Sequence, residues 1–297
     1  MNIELSQAIA IVKSGDVVGM PTETVYGLAG SISSEAALKK IFAVKERPFF
    51  DPLIVHIAEF SDVLKVAKSF PPVAQSLAKM IWPGPLTLIL PKRDDLNPLI
   101  TSGLGEVGIR MPRHPLALEL IKACGPLAAP SANKFKKTSP SLAQHVRDEF
   151  GDSVFVLDGG QCEVGIESTV VGFSEGKVLI YRPGGIDLSK LQLLLNAFSV
   201  VVEYAESPVA PGQMQHHYMP KIPLFVLYPG DLVDAAFLQP KELVLNIDPS
   251  LAARELYFKM RQISDSGADA IYVYRMPEHY SHEWRGVWDR LLKAAVK

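Results

Sequence analysis

The chain has 297 residues, of which 48% are hydrophobic and 21% are charged, and its formal net charge at pH 7 is −2. This length exceeds the usual size of a single domain and predicts one large domain with a smaller one. The composition excludes a disordered chain. Because the net charge is so small, any contact with nucleic acid has to come from a local basic patch.

The N-terminal segment and the two cysteines indicate where the protein works. Residues 1–15 carry an early acid and no long apolar run, which argues against a signal peptide and a membrane anchor. Cys124 and Cys162 are far apart and outside any metal-ligand spacing, so we expect buried thiols in a reducing compartment. The sequence therefore predicts a cytoplasmic protein without membrane contact.

Helices and strands are predicted to alternate along the first two thirds of the chain. A helix over residues 5–14 leads into the strand "DVVGM". A second helix begins after Ser33 or Ser34 and stops at a proline, so its last turn presents Lys45 and Arg47. Later strands are predicted at "LIVHI", "LTLIL", "VGIRM", "LAA", "VFVLD", "STVVGF" and "VLIYR", with helices at "HPLALELIKACG" and "SPSLAQHVRDEFG". This irregular alternation predicts an α/β fold, a twisted mixed sheet flanked by helices.

A proline-rich segment predicts where the large domain ends. The stretch "SPVAPGQMQHHYMPKIP" lacks any hydrophobic period, which is typical of an extended linker. We therefore expect a large domain at residues 1–205, a linker at 206–221 and a small domain at 222–297. Beyond the linker, the order of strands "PLFVLY", "ELVLNI" and "AIYVYRM" with two helices predicts a small Rossmann-like α/β layer of parallel strands.

Several common signatures of chemistry are missing from the sequence. There is no GxxxxGK[ST] phosphate loop and no GxSxG elbow. A GxGxxG at Gly103, Gly105 and Gly108 precedes a strand, whereas a dinucleotide fingerprint follows one. His216 and His217 are adjacent and point in different directions, so no cage of protein ligands for a metal is expected.

Four polar clusters stand at the ends of apolar runs, where side chains can reach a cavity. They are Thr22, Glu23, Thr24 and Tyr26; Lys45, Arg47 and His56; Ser131 and Asn133; and Ser168, Thr169 and Arg182. On this pattern alone, Lys45 and Arg47 could equally clamp a polyphosphate or complement the negative end of their helix. Each cluster could also be ordinary turn chemistry, but four of them around one sheet favour a shared cavity.

The motifs themselves resemble a known family. "PTETVYGL", "KERP", "DPLIVHI", "WPGPLTLIL", "VGIRMPRHP", "PLAAPSAN", "DGG", "GIESTVV" and "RPGGI" occur in the order and spacing of the YrdC-like L-threonylcarbamoyladenylate synthases. The linker "APGQMQHHYMP" resembles the PG...HYAP linker of the longer, two-domain branch. The resemblance implies a nucleotidyltransferase that joins L-threonine, bicarbonate and ATP into threonylcarbamoyl-AMP and releases pyrophosphate, with Mg²⁺ carried by ATP. Its product would pass to a separate tRNA threonylcarbamoyl transferase complex.

By motif, the resemblance also assigns roles to residues. It implies that Lys45 and Arg47 are the catalytic cations. The residues that it implies for ATP contacts are Lys45, Arg47, Ser131, Asn133, Tyr26, Arg182 and Tyr218. Those that it implies for threonine contacts are Thr22, His56, Arg110 and Ser168. It also implies that His217 and Tyr218 of the linker gate the site. The chain departs from the family pattern at Asp51, where asparagine is usual, and at Phe135–Lys136, where a glycine is expected. The second domain is also shorter than usual.

Two other functions remain open from the sequence. One is a non-catalytic RNA-binding protein of the same fold, or a weak tRNA contact, through the basic patch of Lys134, Lys136 and Lys137. The other is a carbamoyltransferase module that uses carbamoyl phosphate, which would need partner domains. Dependence of activity on nucleotide separates these functions from the synthase.

Overall fold

The computed structural model describes residues 1–205, 217–234 and 236–296. In these ranges the strands are β1 (Asn2–Ile3), β2 (Val18–Met20), β3 (Gly27–Ser31), β4 (Ile54–His56), β5 (Leu86–Pro91), β6 (Glu106–Arg110), β7 (Leu127–Ala128), β8 (Phe155–Leu157), β9 (Thr169–Ser174), β10 (Lys177–Arg182), β11 (Val201–Tyr204), β12 (Leu224–Leu227), β13 (Pro240–Glu242) and β14 (Ala270–Tyr274). The helices are α1 (Leu5–Lys13), α2 (Glu35–Lys45), α3 (Val63–Val66), α4 (Pro72–Ile81), α5 (Pro98–Thr101), α6 (Pro115–Cys124), α7 (Ala143–Phe150), α8 (Leu188–Leu194), α9 (Pro249–Ser264) and α10 (Arg285–Ala294).

Local capping explains how α2 delivers its cations. The Ser34 side chain accepts a hydrogen bond from the Ala37 backbone N–H at 3.1 Å and starts the helix. Lys45 is the last helical residue, because Glu46 adopts the left-handed conformation with φ of 53°. Arg47 therefore lies beyond the helix and not in its last turn, and the chain turns there toward β4.

The large sheet has eleven strands in the order β1-β8-β2-β3-β7-β4-β6-β5-β9-β10-β11 and mixes parallel with antiparallel pairs. The mixed α/β class expected from the sequence is therefore confirmed. Strands β4 and β6 run parallel and place His56 directly beside Arg110. Strand β9 runs parallel to β5 and begins at Thr169, so the loop before it opens at the same region of the sheet. Short buried runs in a central sheet place most of their polar residues at the strand ends.

The core of the large domain lies between this sheet and its helices. Val55, Leu86, Leu88 and Ile109 on the central strands are completely buried, as is Leu38 on α2. This packing holds the strand ends in fixed positions, which is the condition for a preorganised site.

The small domain has a parallel three-stranded sheet in the order β12-β14-β13, with α9 and α10 as its helices. Leu256, Tyr257, Trp288 and Leu291 form the centre of its separate core. The parallel strands agree with the expectation. The strand predicted at "ELVLNI" is wrong in its bounds, since β13 covers Pro240–Glu242 and much of the apolar run after it is exposed to solvent.

The connection between the two sheets is only partly visible. β11 pairs with β10 in the large sheet, whereas β12 belongs to the small one. Most of the linker expected at 206–221 lies outside the described residues, which resume at His217. In the described ranges, no helix has the length and apolar character needed to cross a membrane.

Candidate active site

A narrow cavity of about 60 Å³ opens where the ends of β4, β6 and β10 meet the loops before β3 and β9. The residues that line it include nine of the predicted site residues, Thr22, Arg47, His56, Arg110, Ser131, Ser168, Arg182, His217 and Tyr218. The four polar clusters of the sequence thus contribute to one cavity.

Thr22 organises the turn that follows the proline after β2. Its hydroxyl donates to the Val25 carbonyl oxygen at 2.6 Å and lies 2.9 Å from the Thr24 hydroxyl. The backbone N–H of Thr24 in turn donates to the Thr22 hydroxyl at 3.2 Å. These local bonds turn the threonine side chains toward the cavity, as is common for hydroxyl residues in turns.

Arg110, at the end of β6, is held by two neighbours on that turn. Its guanidinium forms an ion pair with Glu23 at 2.7 Å, and both side chains are at most 5% exposed. It also donates to the Thr24 hydroxyl at 2.7 Å. Glu23 accepts a further bond from the Arg113 backbone N–H at 3.0 Å. The guanidinium is thereby fixed in orientation beside the cavity.

His56 is a neutral ring next to this arginine. Burial and the positive charge of Arg110 lower the pKa of His56 to about 3. Its Nδ1 lies 3.3 Å from the Ile54 carbonyl oxygen, an arrangement that favours the proton on Nδ1 and leaves Nε2 as an acceptor. The ring can therefore accept a hydrogen bond without adding charge to the site.

Arg47 and Arg182 also bring guanidinium groups into the cavity wall. Arg47 pairs with Asp51 at 2.9 Å and donates to the carbonyl oxygens of Asp51 and Pro52. Arg182 donates to the carbonyl oxygen and the hydroxyl of Ser168, both at 3.1 Å. Burial lowers the pKa of both arginines, yet each remains a cation at neutral pH.

Lys45 is not among the described residues that line the cavity. Its ammonium donates to the carbonyl oxygens of Ser131 and Asn133, both at 2.5 Å. Burial, and then the charge of Arg47, lower its pKa well below the usual range. Lys45 thus supports the loop that carries Ser131 and Asn133.

Two other predicted contacts also lie outside this lining. Asn133 donates its amide N–H groups to the Lys134 and Lys137 carbonyl oxygens, and its buried side-chain oxygen has no partner among the described residues. The Tyr26 hydroxyl donates to the Gly160 carbonyl oxygen at 2.8 Å, and burial raises its pKa. The sequence placed these residues in the right loops but did not show which way their side chains face.

His217 and Tyr218 cover the cavity from the linker side. Both are buried and contact each other edge to face at 4.1 Å between ring centroids. The His217 backbone N–H donates to the Lys293 carbonyl oxygen of α10 at 3.0 Å. Tyr218 adopts a left-handed φ of 65°, which is uncommon for a bulky residue, and its ring stacks on Tyr257 of α9. The small domain therefore holds this covering segment in place.

Sequence reasoning missed two residues of the site. Glu167 lines the cavity and receives hydrogen bonds from side chains of both domains, and Thr87 on β5 bonds the Ser168 hydroxyl at 2.7 Å. Glu167 is part of the motif "GIESTVV", and its place in that motif could have identified it as a site residue. Thr87 gave none, because one hydroxyl within an apolar strand is common.

The histidines, acids and cysteines of the described residues form no group of three or more that could hold a metal ion. Cys162 is buried and Cys124 half-buried, and both are free thiols.

Comparison with known proteins now identifies the family. A family model described as Sua5_yciO_yrdC, telomere recombination, matches residues 10–184, more than half of the chain. The chain belongs to the Sua5/YciO/YrdC family. A model described as the C-terminal domain of threonylcarbamoyl-AMP synthase matches residues 186–296, so this member of the family has both domains. The boundary between the two models falls earlier than the one expected at residue 205.

Relatives of this Sua5/YciO/YrdC chain carry consistent names. Threonylcarbamoyl-AMP synthases of Bacillus subtilis and Pyrococcus abyssi are 43% and 41% identical to it, over 75% and 74% of this chain. These alignments span 66% of the length of each relative. Among solved structures, P. abyssi Sua5 complexed with L-threonine is 33% identical and superposes with a TM-score of 0.87 over 99% of this chain and 96% of that one.

Proposed function

We propose that the protein is an L-threonylcarbamoyladenylate synthase, an enzyme that joins L-threonine, bicarbonate and ATP into threonylcarbamoyl-AMP. The observation that carries this proposal is the cavity itself, which a fixed arginine with hydroxyl groups shares with two further arginines. The first set suits a small amino acid and the second suits a triphosphate. The similarity to a Sua5 structure complexed with L-threonine supports the proposal.

Threonine would bind at the β4–β6 side. The N–H groups of Arg110 that remain beside its bonds to Glu23 and Thr24 would pair with the threonine carboxylate, because a guanidinium suits a carboxylate. The hydroxyl groups of Thr22 and Ser168 and the neutral ring of His56 then receive its amine and hydroxyl. A neutral histidine suits this place, since a second cation beside Arg110 would repel the ammonium group of the substrate.

The reaction requires positioned reactants more than acid–base chemistry. The ammonium group of threonine and bicarbonate condense to a carbamate, with loss of one water and one proton. A carbamate oxygen then bonds to the α-phosphorus of ATP while the bond to the β-phosphate oxygen breaks. Pyrophosphate leaves with the electron pair of that bond, so cations near the phosphates accelerate the step.

Arg47 and Arg182 would bind the triphosphate and neutralise the departing pyrophosphate, with Lys45 supporting the Ser131 loop. Ser131, which lines the cavity, would offer its hydroxyl oxygen to a Mg²⁺ ion that arrives with ATP. Bound there, Mg²⁺ would neutralise phosphate charge.

The cavity is far smaller than the roughly 300–1,000 Å³ of ligand sites, so ATP requires the covering residues to move. We therefore assign His217 and Tyr218 the role of a gate that opens for ATP and closes over the intermediate. Closure keeps water from a labile carbamate and adenylate. In support, a second P. abyssi Sua5 structure, 32% identical with a TM-score of 0.85, is a double variant in which an adjacent histidine and tyrosine are replaced by alanine.

The product would serve a downstream tRNA threonylcarbamoyl transferase complex in the cytoplasm, where ATP and tRNA are available. A weak tRNA contact would use the loop of Lys134, Lys136 and Lys137, whose Lys137 side chain is exposed.

The test is release of pyrophosphate from ATP with Mg²⁺ and bicarbonate, with and without L-threonine. We expect threonine-dependent release that the Lys45→Ala variant loses. Lys40→Ala is the matched control, because Lys40 lies on the same helix and pairs with Asp16 at the surface. Absence of threonine dependence in the folded wild-type protein would overturn the synthase and favour the non-catalytic RNA-binding alternative, which a tRNA filter-binding assay then measures.

A further inference from the structure

One arginine of the small domain reaches the wall of the cavity. Arg290 on α10 is completely buried, and its Nε donates to the Glu167 carboxylate at 2.8 Å. Its other nitrogens donate to the Glu167 carbonyl oxygen at 3.3 Å, the Pro183 carbonyl oxygen at 2.6 Å and the carboxylate of Asp289 on the same helix at 3.0 Å. Glu167 itself lines the cavity beside Ser168. The small domain thus supplies the counter-charge for an acid of the active site.

The carboxylate of Glu167 has two cations from different domains. Arg290 comes from α10, whereas Arg182 stands at the end of β10 and donates to Ser168. Tyr257 of α9 donates to the same carboxylate at 3.0 Å, and Ser139 donates at 2.5 Å. Lys45, His217 and Tyr218 are the other titratable groups that interact electrostatically with Glu167.

The balance of these charges favours the ionised acid. Burial by itself would raise the pKa of Glu167, but Arg290, Arg182 and the Ser139 hydroxyl outweigh burial and hold the pKa at about 2. Arg182 also acts on this carboxylate electrostatically and bonds the adjacent Ser168, so without Arg290 the carboxylate would attract Arg182 more strongly. Arg182 would then be drawn from Ser168 and from a bound phosphate.

We propose that Arg290 is a positioning residue through which the small domain neutralises Glu167 and keeps Arg182 directed at Ser168 and the nucleotide. The inference rests on the proposed function and gives the small domain a specific part in it. A positioning role of this kind acts on the reaction through another residue and needs no contact with substrate.

The experiment compares four variants of the full chain: Arg290→Met, Arg290→Lys, Glu167→Gln/Arg290→Met and the control Arg285→Met. Arg285 lies on the same helix and places its guanidinium 4.0 Å from the ring of Tyr204 in the large sheet, away from Glu167. Thermal unfolding establishes that each variant folds. Threonine-dependent pyrophosphate release is then measured against pH.

We expect Arg290→Met to lower kcat/KM for ATP on the order of tenfold and to add an acid limb to the pH profile, since Glu167 now takes up a proton more easily. The lysine variant keeps the charge and should show no new limb. The double variant should recover most of kcat/KM and lose the limb, because an amide no longer competes for Arg182. Arg285→Met should behave as wild type.

Wild-type kcat/KM and an unchanged pH profile in a folded Arg290→Met protein would overturn the inference. If Arg290→Met does not fold, the double variant tests the inference instead. A tenfold loss in kcat/KM for ATP in a folded double variant would then overturn the inference. An inactive wild-type protein would refute the proposed function, whereas an active wild type beside an unaffected Arg290→Met refutes only the role of Arg290.

Discussion

Replacement of Asp51 by asparagine should strengthen ATP binding at the expense of stability. Asp51 pairs with Arg47 at 2.9 Å, and both side chains are only 6% exposed. A guanidinium that bridges two anions holds them about 6 Å apart, so at an effective dielectric constant of about 20 the Asp51 charge repels a bound phosphate charge by about 2.8 kcal/mol. Half of that value, left after desolvation and reorientation, corresponds to about a tenfold lower KM for ATP.

The same substitution leaves the buried Arg47 with two carbonyl acceptors, those of Asp51 and Pro52. We therefore expect the free energy of unfolding to fall by about 2 kcal/mol, less than for a buried charge that loses all its partners. The assay is the initial rate of pyrophosphate release against ATP concentration at saturating threonine, together with urea unfolding. Asp95→Asn is the control, because its pair with Arg93 lies at the surface. An unchanged or higher KM for ATP in folded Asp51→Asn would refute the electrostatic reasoning.

Three further outcomes follow from the packing around the site. In the folded protein Glu167 has a pKa of about 2, whereas its ordinary value is 4.5. Its ionised form therefore stabilises the fold above pH 4.5, and about 3 kcal/mol of the free energy of unfolding is lost as the pH falls toward 2. Acid unfolding of Glu167→Gln should lack this loss. A Cβ on Gly184 would lie 2.4 Å from a backbone nitrogen at the start of β9, whereas one on Gly105 would meet nothing within 4 Å. Gly184→Ala should therefore cost about 3 kcal/mol in a urea titration and Gly105→Ala under 1 kcal/mol. Thr87→Val removes the hydrogen bond to the Ser168 hydroxyl and should lower kcat/KM for threonine about fivefold. An unchanged kcat/KM would contradict the role of Thr87 in positioning the Ser168 hydroxyl.

The sequence predicted the parts of this fold that depend on local pattern. Apolar runs bounded by proline or glycine became β4, β5, β6, β9 and β10, and the serine before α2 became its cap. Because strands bury their middle residues, their polar ends could be read as candidate site residues. Thr22, His56 and Arg182 were found this way, whereas Arg110 came from the family resemblance, and the structure places all four at one cavity.

Local pattern did not determine which way polar side chains face. Lys45 and Tyr26 stand in the motifs of the site, yet Lys45 bonds the back of the Ser131 loop and the Tyr26 hydroxyl bonds Gly160. Nor did local pattern show that α2 ends at Lys45, where the left-handed Glu46 turns the chain, or that Arg47 beyond it lines the cavity.

By itself, the sequence determined the central strands, the helices α1, α2, α6 and α7, the α/β class and the loops that meet at the site. Only the tertiary structure decided which charges neutralise one another. Glu167 and Arg290 are 123 residues apart and belong to different domains, and their ion pair is buried. No periodicity reports such a pair, because its energy comes from the exclusion of water when the two domains pack together.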